Sequence, residues 1–238
     1  MIRGVPEELG GRAVCLFSAG KDSATSLRVA EARHDDAVPL FLHFGTDEAD
    51  VNHGHVIGFF GGPSVGKREY ELMWLNELLG PRFSREMEMR EGVLNDSLDR
   101  DGELEEDVPY LPMRSMAIGT ALAIAGDRLD ADYLYWPFHQ DEPLASLDES
   151  TSTLPIVESL IQETAPDGYD PVLVNPLHEC EDGSEVIELG EEFSVEWQKT
   201  RSCLRVRDGH CWDCVSCEDR KSAFEQAGVT DPCYSLKK

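Results

Sequence analysis

Ala13-Val14-Cys15-Leu16-Phe17-Ser18-Ala19-Gly20-Lys21-Asp22-Ser23 decides how this chain folds. Its first five residues are an apolar run of strand length. A Ser/Gly turn follows at once, and then Ala24 to Ala30, where Leu27 and Ala30 supply the spacing of a helix face. The stretch reads as a strand, a tight loop and a helix N-terminus. Small loop residues let backbone N–H groups converge, and the helix start adds partial positive charge, so phosphate or pyrophosphate is the favoured ligand. The Gly-x4-Gly-Lys-Ser/Thr spacing of a Walker A loop is missing here. The bland alternative is an ordinary strand–turn–helix connection with a polar cap.

Working outward, Val38 to Phe44 forms a second strand, and the helix between, roughly Asp22 to Arg33, completes a βαβ unit. Ligands of such parallel sheets sit beyond the carboxyl ends of the strands. His43, Phe44 and Gly45 therefore lie near the nucleotide, with Gly45 leaving room for adenine or ribose; His43 is equally a structural neighbour. Residues 47 to 66 read as an insertion or flexible lid. Its His53 and His55 are too few for a metal site, and Gly61-Gly62-Pro63-Ser64-Val65-Gly66-Lys67-Arg68 is a weak phosphate-loop match. Leu72, Leu75 and Leu79 give Glu69 to Leu79 helical spacing, and Gly80-Pro81 stops it. Phe83 to Met89 is a further strand candidate, and the acidic 91–107 reads as loop. Arg114 precedes the apolar helix Met116 to Ala125 and is placed to meet an anion. Asp132 to Pro137 is a strand that ends in His139-Gln140-Asp141-Glu142. A helix over Leu154 to Glu163, a last strand over Val172 to Leu177, and a short helix over Glu185 to Glu192, ending near Gly190, complete the pattern. The fold expected is α/β, a doubly wound parallel sheet over residues 1–177, followed by a small helical region over 178–238.

With 238 residues and 41% hydrophobic content, the chain can bury the core of one α/β domain with a small appendage. No run reaches the length of a membrane span and Met1-Ile2-Arg3-Gly4 opens no signal peptide, so a cytoplasmic location is expected. The net charge is −26, from 47 acids against 21 basic residues. Such a surface repels bare nucleic acid and acidic membranes unless a local basic patch overrides it. A basic protein partner is one reading of this charge. Acids spread along the whole chain and scarce Lys favour the other, adaptation to a high-salt cytoplasm.

Cys203, Cys211, Cys214 and Cys217 form a C-x7-C-x2-C-x2-C array. Four thiolates at this spacing close a tetrahedral shell around Zn²⁺, leaving no position open for water, which marks a structural site. Disulfides compete poorly in a cytosolic chain. An iron–sulfur cluster is the other rival, but the Pro that follows the last Cys of the ferredoxin run is absent. Cys15 is most simply a buried apolar residue.

Ser18-Ala19-Gly20-Lys21-Asp22-Ser23 resembles the Ser-Gly-Gly-x-Asp-Ser loop of the PP-loop ATP pyrophosphatases (adenine nucleotide alpha hydrolase-like fold), which cleave ATP to AMP and pyrophosphate. Ala19 stands where that family has Gly, and is tolerable only with negative φ. Together, the loop and the cysteine array resemble 7-cyano-7-deazaguanine (preQ0) synthase, an enzyme of queuosine and archaeosine biosynthesis. The match is best at Ser202-Cys203, Cys211-Trp212-Asp213-Cys214-Val215-Ser216-Cys217, Arg220, Ala223 to Gly228 and Asp231-Pro232. It extends to Pro112-Met113-Arg114-Ser115, Asn175-Pro176-Leu177 and Glu185 to Gly190.

The resemblance implies an ATP-dependent ligase that adenylates 7-carboxy-7-deazaguanine, forms an amide with ammonia, and adenylates again to reach the nitrile. ATP, Mg²⁺ and Zn²⁺ are the implied cofactors. Phe17 to Ser23, with His43 and Gly45, would bind the nucleotide. Lys21, Asp22 and Ser23 would meet phosphates and metal, Arg114 a further anion, and Trp136, His139 and Asp141 the deazapurine. Members of this family commonly form homodimers. Departures concentrate at Trp136 to Asp148, where the family's Asn, Tyr and Arg are missing, at Asp182-Gly183-Ser184, which replaces an expected Lys, and at Ser115 for Asn. They describe a divergent member, from a halophile or its virus, whose fold and ATP site are better marked than its substrate. Two other readings stand beside it: a PP-loop enzyme that thiolates or amidates tRNA, which −26 disfavours, and a non-catalytic zinc-stabilised module, which intact Lys21, Asp22 and Ser23 disfavour.

Overall fold

β1 (Arg12–Leu16) lies in the middle of a five-stranded parallel sheet, between β2 (Asp36–His43) and β6 (Tyr133–Tyr135). β3 (Glu71–Trp74) extends the sheet beyond β2, and β7 (Val172–Val174) beyond β6. The order β3-β2-β1-β6-β7 is parallel throughout, with Val14 opposite Val38 on one side and Leu134 on the other. This computed structural model describes residues 8–43, 47–60, 71–74, 97–98, 104–105, 114–139, 153–205 and 207–235.

The helices are α1 (Lys21–Glu31), α2 (Asp47–Phe59), α3 (Arg114–Leu129), α4 (Thr153–Thr164), α5 (Gly183–Glu192) and α6 (Val215–Gln226), with a last turn, α7 (Pro232–Ser235). Strand side chains alternate between faces, so each face of the sheet gathers its own core. Ala13, Cys15, Phe41 and Tyr135 pack with Leu27 of α1, Val56 and Phe59 of α2, Ile187 of α5 and Phe224 of α6. Val14, Leu40, Leu42 and Leu134 pack with Leu122 of α3 and Val157 and Ile161 of α4. The doubly wound parallel α/β fold expected from the sequence is therefore what the chain adopts. Among the described residues, no helix is long and apolar enough to cross a membrane.

The structure corrects three local expectations. Glu71–Trp74 is a strand, not part of a helix; pairing with Leu40–His43 outweighs a helical spacing read from a short apolar window, and residues 75–79 lie outside the described residues. Asp47–Phe59 is a helix rather than a flexible lid, because Val56 and Phe59, three apart, bury against Phe17. Residues Ser97–Leu98 and Leu104–Glu105 pair as a small antiparallel hairpin, β4 and β5, inside the span read as loop. α5 ends at Glu192, two residues after Gly190, as the sequence suggests, and the missing side chain at Gly190 lets the Trp197 indole and Thr25 press against the helix. The strand candidate at 83–89 and the Gly-rich 61–68 lie outside the described residues.

Candidate active site

The loop Ser18 to Gly20 leaves β1 at its carboxyl end and turns straight into α1. Ser23, in the first turn of α1, closes it. The Ser18 N–H donates to Ser23 Oγ at 3.2 Å, and the Ser23 hydroxyl donates to the Gly20 carbonyl at 3.1 Å. Gly20 is the N-cap residue, and no side chain caps the helix, so the first N–H groups of α1 keep their donor capacity for an anion. Ala19 sits at φ +62°, in the left-handed region. The sequence-based condition of negative φ is therefore not met. The loop keeps the conformation a glycine would favour and carries the Cβ cost, with the Ala19 carbonyl held by the Arg201 N–H at 2.8 Å.

Two cavities open on either side of this loop, and Ser18, Gly20 and Asp22 line both. The first, about 250 Å³, is largely apolar; Phe17, Leu42, Ile118, Trp136 and Phe138 form its walls and Ser23 part of its floor. Its shape and lining suit a flat heterocycle. The second, about 270 Å³, is lined mostly by polar residues, among them Lys21, Asn52, Arg201, Ser202, Ser216 and Asp219, with Cys203 and Leu204 beside them. The Lys21 ammonium is buried, 3.1 Å from both Asp22 carboxylate oxygens and 3.1 Å from Asp219 Oδ2. Arg201 fixes the outer wall. Its guanidinium donates to Asn52 Oδ1 and to the carbonyls of Arg205 and Arg207.

The polar cavity abuts the cysteine cluster. Cys203, Cys211, Cys214 and Cys217 place their Sγ atoms within 4.8 Å of one another, and Cys211 Sγ lies 3.8 Å from Cys217 Sγ. A tetrahedron with Zn–S bonds of about 2.3 Å has an edge of about 3.8 Å, so the sulfurs fit zinc. Burial pushes the Cys217 thiol upward, and a bound cation is what favours its thiolate. Left-handed Gly209 and Trp212 turn the chain around the cluster, and Cys214 starts α6. Burial first, then the Arg220 charge, pushes His210 down to about 4. Its ring is thus neutral near pH 7, and Nε2 accepts the Ser202 N–H at 3.1 Å.

Of the residues singled out from the sequence, Phe17, Ser18, Gly20 to Ser23 and Trp136 meet at the two cavities, while Ala19 is fully buried and lines neither. His139 is buried beside them, its Nε2 3.8 Å from Asp22 Oδ1. His43 lines neither cavity; it is buried, contacts Asp50 Oδ1 at 3.0 Å and packs edge-on against His53. Arg114 opens α3, with its side chain outside the description, and Gly45 and Asp141 lie outside the described residues. Sequence reasoning missed Asn52, Arg201 and Asp219. The last two flank the cysteine array by two residues at each end, the one signal that could have found them. It also missed Asn175 as a brace: its side chain bonds both backbone groups of Phe138 and the Leu177 N–H, tying the end of β7 to the segment that carries Trp136 and His139.

Fold and site together define a class: a parallel α/β protein whose strand–helix loop, open to an anion, is shared by two cavities and backed by four cysteines placed to hold a metal. Comparison with known proteins makes this specific. The sequence model of the family described as "Queuosine biosynthesis protein QueC" matches residues 12–228, and the chain belongs to this family. It is 30% identical to a 7-cyano-7-deazaguanine synthase of Solidesulfovibrio magneticus, covering 93% of this chain and 94% of the relative. It is 25% identical to the protein of that name from Oceanobacillus iheyensis (94% and 97% covered) and 24% identical to that from Methanococcus aeolicus (93% and 97%). Among solved structures it is similar to the U34-tRNA thiolase NcsA from Methanococcus maripaludis, at 13% identity and a TM-score of 0.46, covering 92% of this chain and 65% of the other.

Proposed function

We propose that the chain is an ATP-dependent carbon–nitrogen ligase that converts 7-carboxy-7-deazaguanine and ammonia to 7-cyano-7-deazaguanine in the cytoplasm. The observation that carries this reading is the shared loop: Ser18, Gly20 and Asp22 face both cavities, so a nucleotide and an acceptor can meet at one α-phosphate. Relatives in the family are named for the same product, 7-cyano-7-deazaguanine, which supports this reading.

The chemistry follows from leaving groups. A carboxylate is a poor acyl donor. Its oxygen attacks the α-phosphorus of ATP and pyrophosphate leaves; ammonia then attacks the acyl carbon, AMP leaves, and an amide remains. The amide oxygen is adenylated in turn, and loss of AMP together with both amide protons gives the nitrile. In this reading the deazapurine lies against Trp136 with His139 and Asp141 nearby, and the phosphates lie towards Lys21 and the uncapped start of α1. Asp22 offers hard carboxylate oxygens of the kind Mg²⁺ takes; that ion would neutralise charge on the departing pyrophosphate. Arg114 serves as a further anion contact, and zinc at the four cysteines holds the wall of the polar cavity in place. The working unit is a homodimer. The surface charge of −26 weighs against tRNA as the acceptor.

Mass spectrometry tests this. Purified protein is incubated with 7-carboxy-7-deazaguanine, Mg-ATP and ammonium in molar KCl. The expected product is the nitrile, with two AMP released per turnover. Amide alone would mean the second adenylation is absent. Neither product from folded, zinc-loaded protein would refute the assignment.

A further inference from the structure

Lys21 faces only one of the two cavities. The apolar cavity is lined by Gly20, Asp22 and Ser23 but not by Lys21; the polar cavity is lined by Lys21, Asp22 and Asp219 together. The buried ammonium is 3.1 Å from carboxylate oxygens of both acids, each about one-fifth exposed. Asp219 is itself fixed by its place on α6, two residues after Cys217.

We propose that Asp219 is a positioning residue which, by sharing the Lys21 ammonium, keeps the Asp22 carboxylate available to the divalent cation that accompanies a polyphosphate in the polar cavity. The argument is one of charge. Lys21 and Asp22 alone sum to zero, and a carboxylate whose charge is fully matched by an ammonium is a poor ligand for a hard cation. With Asp219 these three described groups sum to −1, and both carboxylates face the cavity. Arg201 lines the same cavity; its guanidinium donates to neutral groups, Asn52 Oδ1 and the 205 and 207 carbonyls, and so keeps its own positive charge on that wall. His139 approaches Asp22 at 3.8 Å. This inference rests on the nucleotide reading above and adds to it the residue that sets the loop's cation balance.

Calorimetry of Mg-pyrophosphate binding to the zinc-loaded full chain tests the proposal, with Mn²⁺ titration followed by electron paramagnetic resonance as a second readout. Asp219→Asn is expected to weaken metal–pyrophosphate binding by about tenfold, with zinc content and thermal midpoint retained. Lys21→Met added to Asp219→Asn is expected to bring Mn²⁺ binding back to within about threefold of wild type, because Asp22 again carries an unshared charge, while pyrophosphate binding stays weak for want of the Lys21 ammonium. A purely structural Asp219 would leave Mn²⁺ binding in the double variant as weak as in the single. Wild-type affinity in Asp219→Asn, or no recovery of Mn²⁺ binding in the double variant, overturns the inference while the wild-type chain still binds ATP. A wild-type chain that binds neither ATP nor Mg-pyrophosphate overturns the nucleotide reading along with it.

Discussion

The backbone N–H of Arg201 donates to the carbonyl of Ala19 at 2.8 Å. This bond ties the anion loop to the strand of chain that enters the cysteine cluster two residues later. The Lys21–Asp219 pair makes the same connection from the far side of the cluster. Loop and metal site are thus joined twice, once through backbone and once through side chains.

Ala19 pays for this geometry with a left-handed backbone at φ +62°. An L-residue there costs about 1–2 kcal/mol, while glycine loses about 0.5–1 kcal/mol of chain entropy on folding. Ala19→Gly should therefore stabilise the protein by roughly 0.5–1 kcal/mol, read as a higher urea midpoint at constant slope. An unchanged or lower midpoint would show that the Arg201 bond has already relaxed the strain.

Zinc should be stoichiometric with the chain by elemental analysis. Chelation, or Cys214→Ser, removes the charge that makes four packed thiolates tolerable. A drop of about 10 °C or more in the thermal midpoint is expected, with early loss of structure from residue 200 onward by hydrogen exchange. Uniform exchange across the chain after chelation would contradict the double link between loop and cluster.

Arg220 is fully buried and bidentate to Asp231, through Nε at 2.7 Å and a terminal nitrogen at 3.0 Å; it also donates to Thr200 Oγ1 and lies over the Phe224 ring. Arg220→Met removes the guanidinium charge from the buried Asp231 carboxylate, which keeps the Cys233 N–H at 2.9 Å, and should cost roughly 3–5 kcal/mol. Asp231→Leu added to it should recover most of that loss. A cycle in which the second change adds further damage would point to packing rather than charge.

Asn175 braces the segment after β6 with three hydrogen bonds, two to Phe138 and one to Leu177. Asn175→Ala leaves those buried backbone groups unpaired, at a cost of about 2–3 kcal/mol. The larger effect is expected on KM for the acceptor, since the same segment carries Trp136 and His139, with KM for ATP nearly unchanged. Equal loss on both substrates would place the brace's effect elsewhere.

How much of this was legible in the sequence depended on whether the signal was local. The strand–loop–helix at 12–31 and the cysteine spacing were readable because each is contiguous and its chemistry follows from residue type. β3 was not, because four residues paired at one side of the sheet carry no period of their own, and Leu72, Leu75 and Leu79 offered a helix instead. α2 was hidden by glycines and histidines; only the burial of Val56 and Phe59 against Phe17 makes it a helix worth forming. The lysine expected before Glu185 gives way to Asp182, and the structure supplies a reason: its carboxylate caps α5, accepting the Ser184 N–H at 2.8 Å and the Glu185 N–H at 3.3 Å. Asp219 and Arg201 were missed because Lys21, Asn52 and Ala19, which tie them to the loop, are far away in sequence, and only their place beside the cysteines marked them.

The wall common to the two cavities limits how the chain can diverge. A change at Ser18, Gly20 or Asp22 alters both compartments at once, so neither affinity can drift without the other. The outer walls have no such tie: Trp136 to Phe138 border one compartment, Asn52 and Arg201 the other. Evolution of a new acceptor is thereby channelled to the 136–148 segment, where this sequence departs most from the pattern it resembles, while the loop between the compartments stays fixed as a hinge of inheritance.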